Sequence, residues 1–198
     1  MRKGLKKIFK RIILVLVILS VISVLYYYQI YAPIKIEGVK VTIMSLSESD
    51  LDSIKYHYNN IYNGEFEAEY STLLRLNGKF PEGDENDFRV ISIDLKINNR
   101  SIFSQNDIRG YITTGSEDSR MLSCTDNMTT DFVRSFKNGE ACPVFMDLYT
   151  GGLTDEEIVD YVLQQEIKLY YNNALGSKTE IISLKDIQSV ETDIRKNE

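Results

Sequence analysis

The hydrophobic pattern changes period along the chain, and each change marks an element. From Ile12 to Leu25 the only polar residues are Ser20 and Ser23. Continued to Ile30, the run covers about 19 residues, or roughly 28 Å of helix, close to the hydrocarbon thickness of a bilayer. In lipid such a run must be helical, because only a helix satisfies its backbone internally. Ala32-Pro33 ends it, since Pro has no N–H to continue the ladder.

From Ile34 to Met44 the period drops to two. Ile34, Ile36, Val39, Val41 and Ile43 alternate with Lys35, Glu37, Lys40 and Thr42, and Gly38 marks a bulge. Between Ser45 and Asn63 the spacing of Leu51, Ile54, Tyr58 and Ile61 is helical, with Ser47 or Ser49 as cap. Alternation returns in Glu65–Leu76, in Phe88–Ile97 (the clearest strand), in Ile108–Thr114 and in the short Met121–Cys124. Thr125–Gly139 is polar and irregular. Ala141–Tyr149 reads as an edge strand, because Pro143 cannot donate to a ladder. Thr154 and Glu157 form a capping box opening a short helix to about Gln164. Ile167–Tyr171 and Thr179–Leu184 then predict a hairpin around Gly176.

Short strands at this spacing predict a mainly β domain, an antiparallel β-sandwich of the immunoglobulin-like kind, with one or two short helices and a single transmembrane helix before it. That architecture rests on strand count and alternation, as the chain has no Trp to supply a Cys…Trp…Cys core. A small barrel is the alternative. The expected division is a basic segment (1–11), a membrane anchor (12–31), a β domain (33–185) and a charged tail (186–198).

Charge sharpens the anchor. Arg2, Lys3, Lys6, Lys7, Lys10 and Arg11 precede the apolar run with no acid among them, a bias that holds an N-terminus in the cytoplasm. Tyr26, Tyr27, Tyr28 and Tyr31 stand at its other end, where an interfacial aromatic belt belongs. A cleaved signal peptide competes, but bulky tyrosines occupy the place where cleavage wants small residues. The formal net charge is -6. The basic segment contributes +6 of it, so the rest carries -12. A domain that acidic excludes nucleic acid as a partner and argues against attraction to anionic headgroups.

Candidate chemistry is thin. Cys124 and Cys142 fall in the outer domain, where an oxidising exterior permits a disulfide worth about 3 kcal/mol. His57 is the only histidine, flanked by Tyr56 and Tyr58, and no nucleophile motif accompanies it. Acids gather at Glu82–Asp87, at Glu117-Asp118 and at Asp155–Glu157 without the spacing of a calcium loop, and read as solvated turns and a helix cap. Asn99-Arg100-Ser101 and Asn127-Met128-Thr129 match the glycosylation pattern. No cofactor or metal is implied. The expectation is a non-catalytic, single-pass protein of the cell membrane, its domain extracytoplasmic and close to the bilayer. Such a domain would engage an envelope protein or an extracellular ligand. A glycan hydrolase using paired carboxylates, or a structural subunit of a membrane complex, are the alternatives.

Overall fold

The computed structural model describes residues 2–62, 80–113, 120–126 and 131–195. A long helix, α1 (Arg2–Tyr26), opens the chain and passes into one wider, π-type turn at Tyr27–Tyr31. The stretch Lys6–Gln29, running from α1 into this turn, is long and apolar enough to cross a membrane, and its most apolar part is not buried by the protein.

Nine strands follow among the described residues, in two sheets. They are β1 (Ile34–Ser45), β2 (Phe88–Asn99), β3 (Gln105–Ile112), β4 (Met121–Asp126), β5 (Asp131–Val133), β6 (Asn138–Tyr149), β7 (Glu166–Asn173), β8 (Gly176–Ser183) and β9 (Val190–Arg195). One sheet has the order β4-β6-β2-β1-β9, the other β5-β3-β7-β8. Two helices join them: α2 (Glu48–Tyr62) and α3 (Asp155–Leu163).

The protein is therefore mainly β, with two sheets sharing one core. The first sheet contributes Val39, Val41, Ile43, Ile93, Leu95 and Met146; the second contributes Ile108, Ile112, Ile167, Leu169 and Tyr171. Burying each such side chain stabilises the fold by about 1.5–3 kcal/mol. Ile158 and Val162 of α3 and Leu184 close the end of this core farthest from α1. A second cluster, Leu46, Leu51, Phe88 and Leu122, lies under α2 at the same end, where the rings of Phe80 and Phe88 stack at 5.3 Å.

The expected bulge in β1 is present. Its register against β2 shifts between Ile36 and Gly38, so inward residues switch from even to odd numbers. A Cβ at Gly38 would stand 3.2 Å from the Ser189 carbonyl oxygen, which accepts a hydrogen bond from Val39 N. The cap of α2 is Ser47, whose Oγ accepts from Asp50 N while Asp50 Oδ2 accepts from Ser47 N. Thr154 and Glu157 form their reciprocal pair as read from sequence.

Three expectations are corrected. β6 is not an edge strand: it lies between β4 and β2. Its ladder to β2 skips Cys142-Pro143, and that bulge removes the need for a proline N–H. The sheets are not wholly antiparallel, since β9 runs parallel to β1. The same pairing turns Val190–Arg195 of the expected tail into a strand. Val190 and Ile194 stay half-exposed, which is why the segment reads as solvated. The predicted strand Glu65–Leu76 lies outside the described residues. So do Glu117, Asp118 and the Asn127-Met128-Thr129 pattern.

Candidate binding face and the anchor junction

Two arrangements on the domain have the character of sites. The first is on the outer face of the second sheet. Tyr170 and Tyr171 are neighbours on β7, so alternation sends one side chain outward and the other into the core. Register then places Arg109, Tyr170 and Thr179 in one row across β3, β7 and β8. Tyr111, Lys168 and Ile181 form the next row. The Tyr111 and Tyr170 hydroxyls are 2.7 Å apart, and their ring centroids 5.5 Å. Lys168 Nζ lies 5.3 Å from the Tyr170 ring centroid and 5.7 Å from that of Tyr111, within cation–π range. Hydrogen bonding to the two phenols, Tyr170 first, raises the Lys168 pKa. The same contact with Lys168 lowers that of Tyr170. Ile181 at the end of its row is 66% exposed, on a strand that has only β7 as neighbour. The outward side of β8 thus presents unpaired backbone groups among the described residues.

The second is the junction between α1 and the domain. Gln29 Oε1 accepts from Ser101 Oγ at 2.8 Å and from Ile102 N at 3.0 Å. Arg100 N donates to Pro33 O at 2.8 Å, and the Arg100 guanidinium lies 5.6 Å from the Tyr28 ring centroid. Behind this, Asn99 is fully buried. Its Nδ2 donates to the carbonyls of Phe103, Val133 and Arg134. Its Oδ1 accepts from Ser101 N and Gln105 Nε2. The network continues from Gln105 Oε1 to Asn173 Nδ2 at 3.1 Å. It ties the loops β2–β3, β5–β6 and β7–β8 to the last turn of the helix. An open pocket of about 370 Å³ lies here, lined by Tyr28, Asn98, Asn99, Arg100 and Phe136. Asn99 is thus a structural residue with its amide fully occupied, which removes it as a glycosylation acceptor.

Two carboxylates are pushed above their ordinary range by burial. Asp147 on β6 accepts from Ser123 Oγ, and Glu180 on β8 accepts from Tyr171 Oη. They lie in different sheets, each answered by a hydroxyl. Asp84 and Asp87 are engaged locally: Asp84 Oδ1 accepts from Asn86 N, and Asp87 Oδ2 from Asp84 N. No group of three or more His, Cys, Asp or Glu able to hold a metal occurs among the described residues.

The other residues singled out in the sequence are placed as follows. Lys6, Lys7, Lys10 and Arg11 are exposed on α1 ahead of the apolar run, while the side chains of Arg2 and Lys3 lie outside the described residues. Tyr26 and Tyr27 are exposed, Tyr28 is half-buried against the domain, and the Tyr31 side chain is outside the described set. His57 stands in α2 with its side chain likewise undescribed. Cys124 is buried and faces Met146 across the β4–β6 ladder, four residues along β6 from Cys142. Four extended residues span about 13 Å. A disulfide holds its Cα atoms at roughly 4.4–6.8 Å, so a bridge between these two requires the strands to leave this register.

The Tyr111–Lys168–Tyr170 group was missed in the sequence, where Tyr170-Tyr171 stood out only as a pair. The outward alternation of Lys168 and Tyr170 is visible there, but their neighbour Tyr111 follows only from register.

No protein-family model matches the chain, and no curated protein matches it. Among solved structures, a Bacillus subtilis protein described as a lipoprotein (ycdA) aligns at 17% identity and a TM-score of 0.25, over 59% of this chain. The aligned part spans about a third, 34%, of that protein's length.

Proposed function

We propose that this protein is a single-pass, non-catalytic accessory module. Its N-terminus is cytoplasmic, and its extracytoplasmic domain binds another envelope protein through the outer face of the second sheet. The observation that carries the reading is the lattice of Arg109, Tyr111, Lys168 and Tyr170 leading to exposed Ile181 on an open strand edge. Tyrosine and arginine are the residues that dominate protein interfaces. An open edge can add a partner's strand. The basic cluster before the apolar helix supports the orientation. Two facing sheets with a common core support a sandwich of the immunoglobulin-like kind.

The test is photocrosslinking of the full chain in its native membrane. A benzophenone amino acid in place of Ile181 is expected to capture a discrete partner. The same group in place of Tyr56, an exposed residue of α2 at 60%, is expected to capture none. Tyr170→Ala added to the Ile181 probe is expected to remove the band. A band of equal strength from both positions, or one indifferent to Tyr170→Ala, sinks the proposal. So does turnover of an envelope glycan by the purified full chain.

A further inference from the structure

Three of the domain's exposed apolar side chains share one end, while Tyr56, Ile181 and Ile194 stand elsewhere. Ile102 (53%), Phe136 (62%) and Leu175 (51%) stand on the β2–β3, β5–β6 and β7–β8 loops. Those loops all lie at the end from which α1 emerges, joined there by the Asn99 and Gln105 network. The helices α2 and α3 cover the opposite end. Ile102 N is bonded to Gln29, so this loop sits level with the last residue of the apolar span. Phe136 holds a backbone φ of 54°, a left-handed conformation costly for an aromatic residue, and its ring is nonetheless turned to the outside. Its N–H is bonded to Ser101 O, which fixes the two loops side by side.

Two of these loops carry charge opposite in sign to the domain's total. The loops read Arg100-Ser101-Ile102-Phe103-Ser104 and Arg134-Ser135-Phe136-Lys137, each with cations and without an acid. This is the pairing of apolar tip and basic flank that suits a membrane interface, where apolar side chains enter the acyl boundary and cations meet phosphates. Acids stand behind the loops on the strands, where Glu37 accepts from Asn98 and Asp107 from Asn172.

We infer that these loops form a membrane seat: Ile102, Phe136 and Leu175 enter the interfacial layer of the leaflet from which the domain emerges, while Arg100, Arg134 and Lys137 contact lipid phosphates. The open pocket between Tyr28, Arg100 and Phe136 admits a headgroup at that level. The domain is then held upright, with the Tyr111–Lys168–Tyr170 face directed sideways along the membrane. This inference rests on the anchor part of the proposal above and is independent of the partner.

The absence of Trp from the chain makes the test direct, since one introduced Trp is the only one. The full chain is reconstituted in vesicles of phosphatidylglycerol and phosphatidylcholine, with or without brominated acyl chains. Ile18→Trp reports insertion of α1, Ile102→Trp and Phe136→Trp report the seat, and Ile181→Trp is the control. Brominated lipid is expected to quench the first three variants at least twofold and to leave Ile181→Trp unchanged. Adding Arg134→Glu and Lys137→Glu to Phe136→Trp is expected to weaken its quenching. Quenching of Ile18→Trp alone, or equal quenching of all four variants, overturns the seat. An unquenched Ile18→Trp overturns seat and anchor together.

Discussion

Replacing Asn99 by Ala isolates the network that joins the loops at the anchor end. The side chain is fully buried and serves five partners. Its Nδ2 has two hydrogens for three carbonyls, so it counts as two net hydrogen bonds. Phe103 O would still accept from Gln105 Nε2, and Arg134 O from Lys137 N. Ser101 N has no such substitute, because its acceptor is Asn99 Oδ1. A stranded buried donor at about 1–3 kcal/mol and two net bonds at about 0.5–1.5 kcal/mol each give a loss of roughly 2–6 kcal/mol. Set against a total stability of about 5–15 kcal/mol, that is a large fraction. The assay is urea unfolding of the full chain in detergent micelles, followed by far-UV circular dichroism in the sheet region, with Asn172→Ala as comparison. Asn172 is only half-buried and donates one bond, to Asp107 Oδ2, so its loss is expected to cost no more than about 1 kcal/mol. A cost below about 1 kcal/mol for Asn99→Ala would refute the reasoning, because it would mean that water or a neighbour replaces the amide without penalty. Asn99→Asp keeps the acceptor but sets a carboxylate against three carbonyls. It is expected to unfold more readily at pH 7 than at pH 5.

Two other outcomes are expected. Burial raises the Glu180 pKa in the folded state, so its stabilising contribution is complete below its unfolded pKa of 4.5 and is lost as pH rises through the folded value. Glu180→Gln should therefore be more stable than the wild type at pH 7, by a margin that shrinks towards pH 4 in thermal melts. Thr154→Ala removes the side-chain acceptor for Glu157 N and should cost about 1 kcal/mol in urea, with Thr154→Ser close to neutral.

What the sequence made legible was local. Alternation located β1, β2 and the β7–β8 hairpin, and even the phase change at Gly38, because period-two burial writes itself directly into the order of Ile and Val. The caps of α2 and α3 are equally local, with acceptor and donor three residues apart. The misses have a common cause in pairing. Pro143 suggested an edge only because the bulge that accommodates it is a property of β6 and β2 together. Val190–Arg195 looked like a tail because one side of an edge strand remains in water. The Tyr111–Lys168–Tyr170 lattice joins two residues of β7 to one 57 or more positions earlier, and no pattern along the chain brings Tyr111 to them.

The parallel pairing of β9 with β1 has a mechanical consequence. β1 follows α1 and β9 runs beside it in the same direction, from Val39–Val190 to Met44–Arg195. A pull between α1 and anything attached beyond Arg195 would draw these two strands lengthwise past each other, so their ladder bonds would have to yield together rather than one at a time. Lys40–Asp193 and Lys96–Glu191 pin the same seam from the side. The shortest load path through the domain thus crosses one sheared seam and bypasses the second sheet, whose outer face would keep its shape under tension.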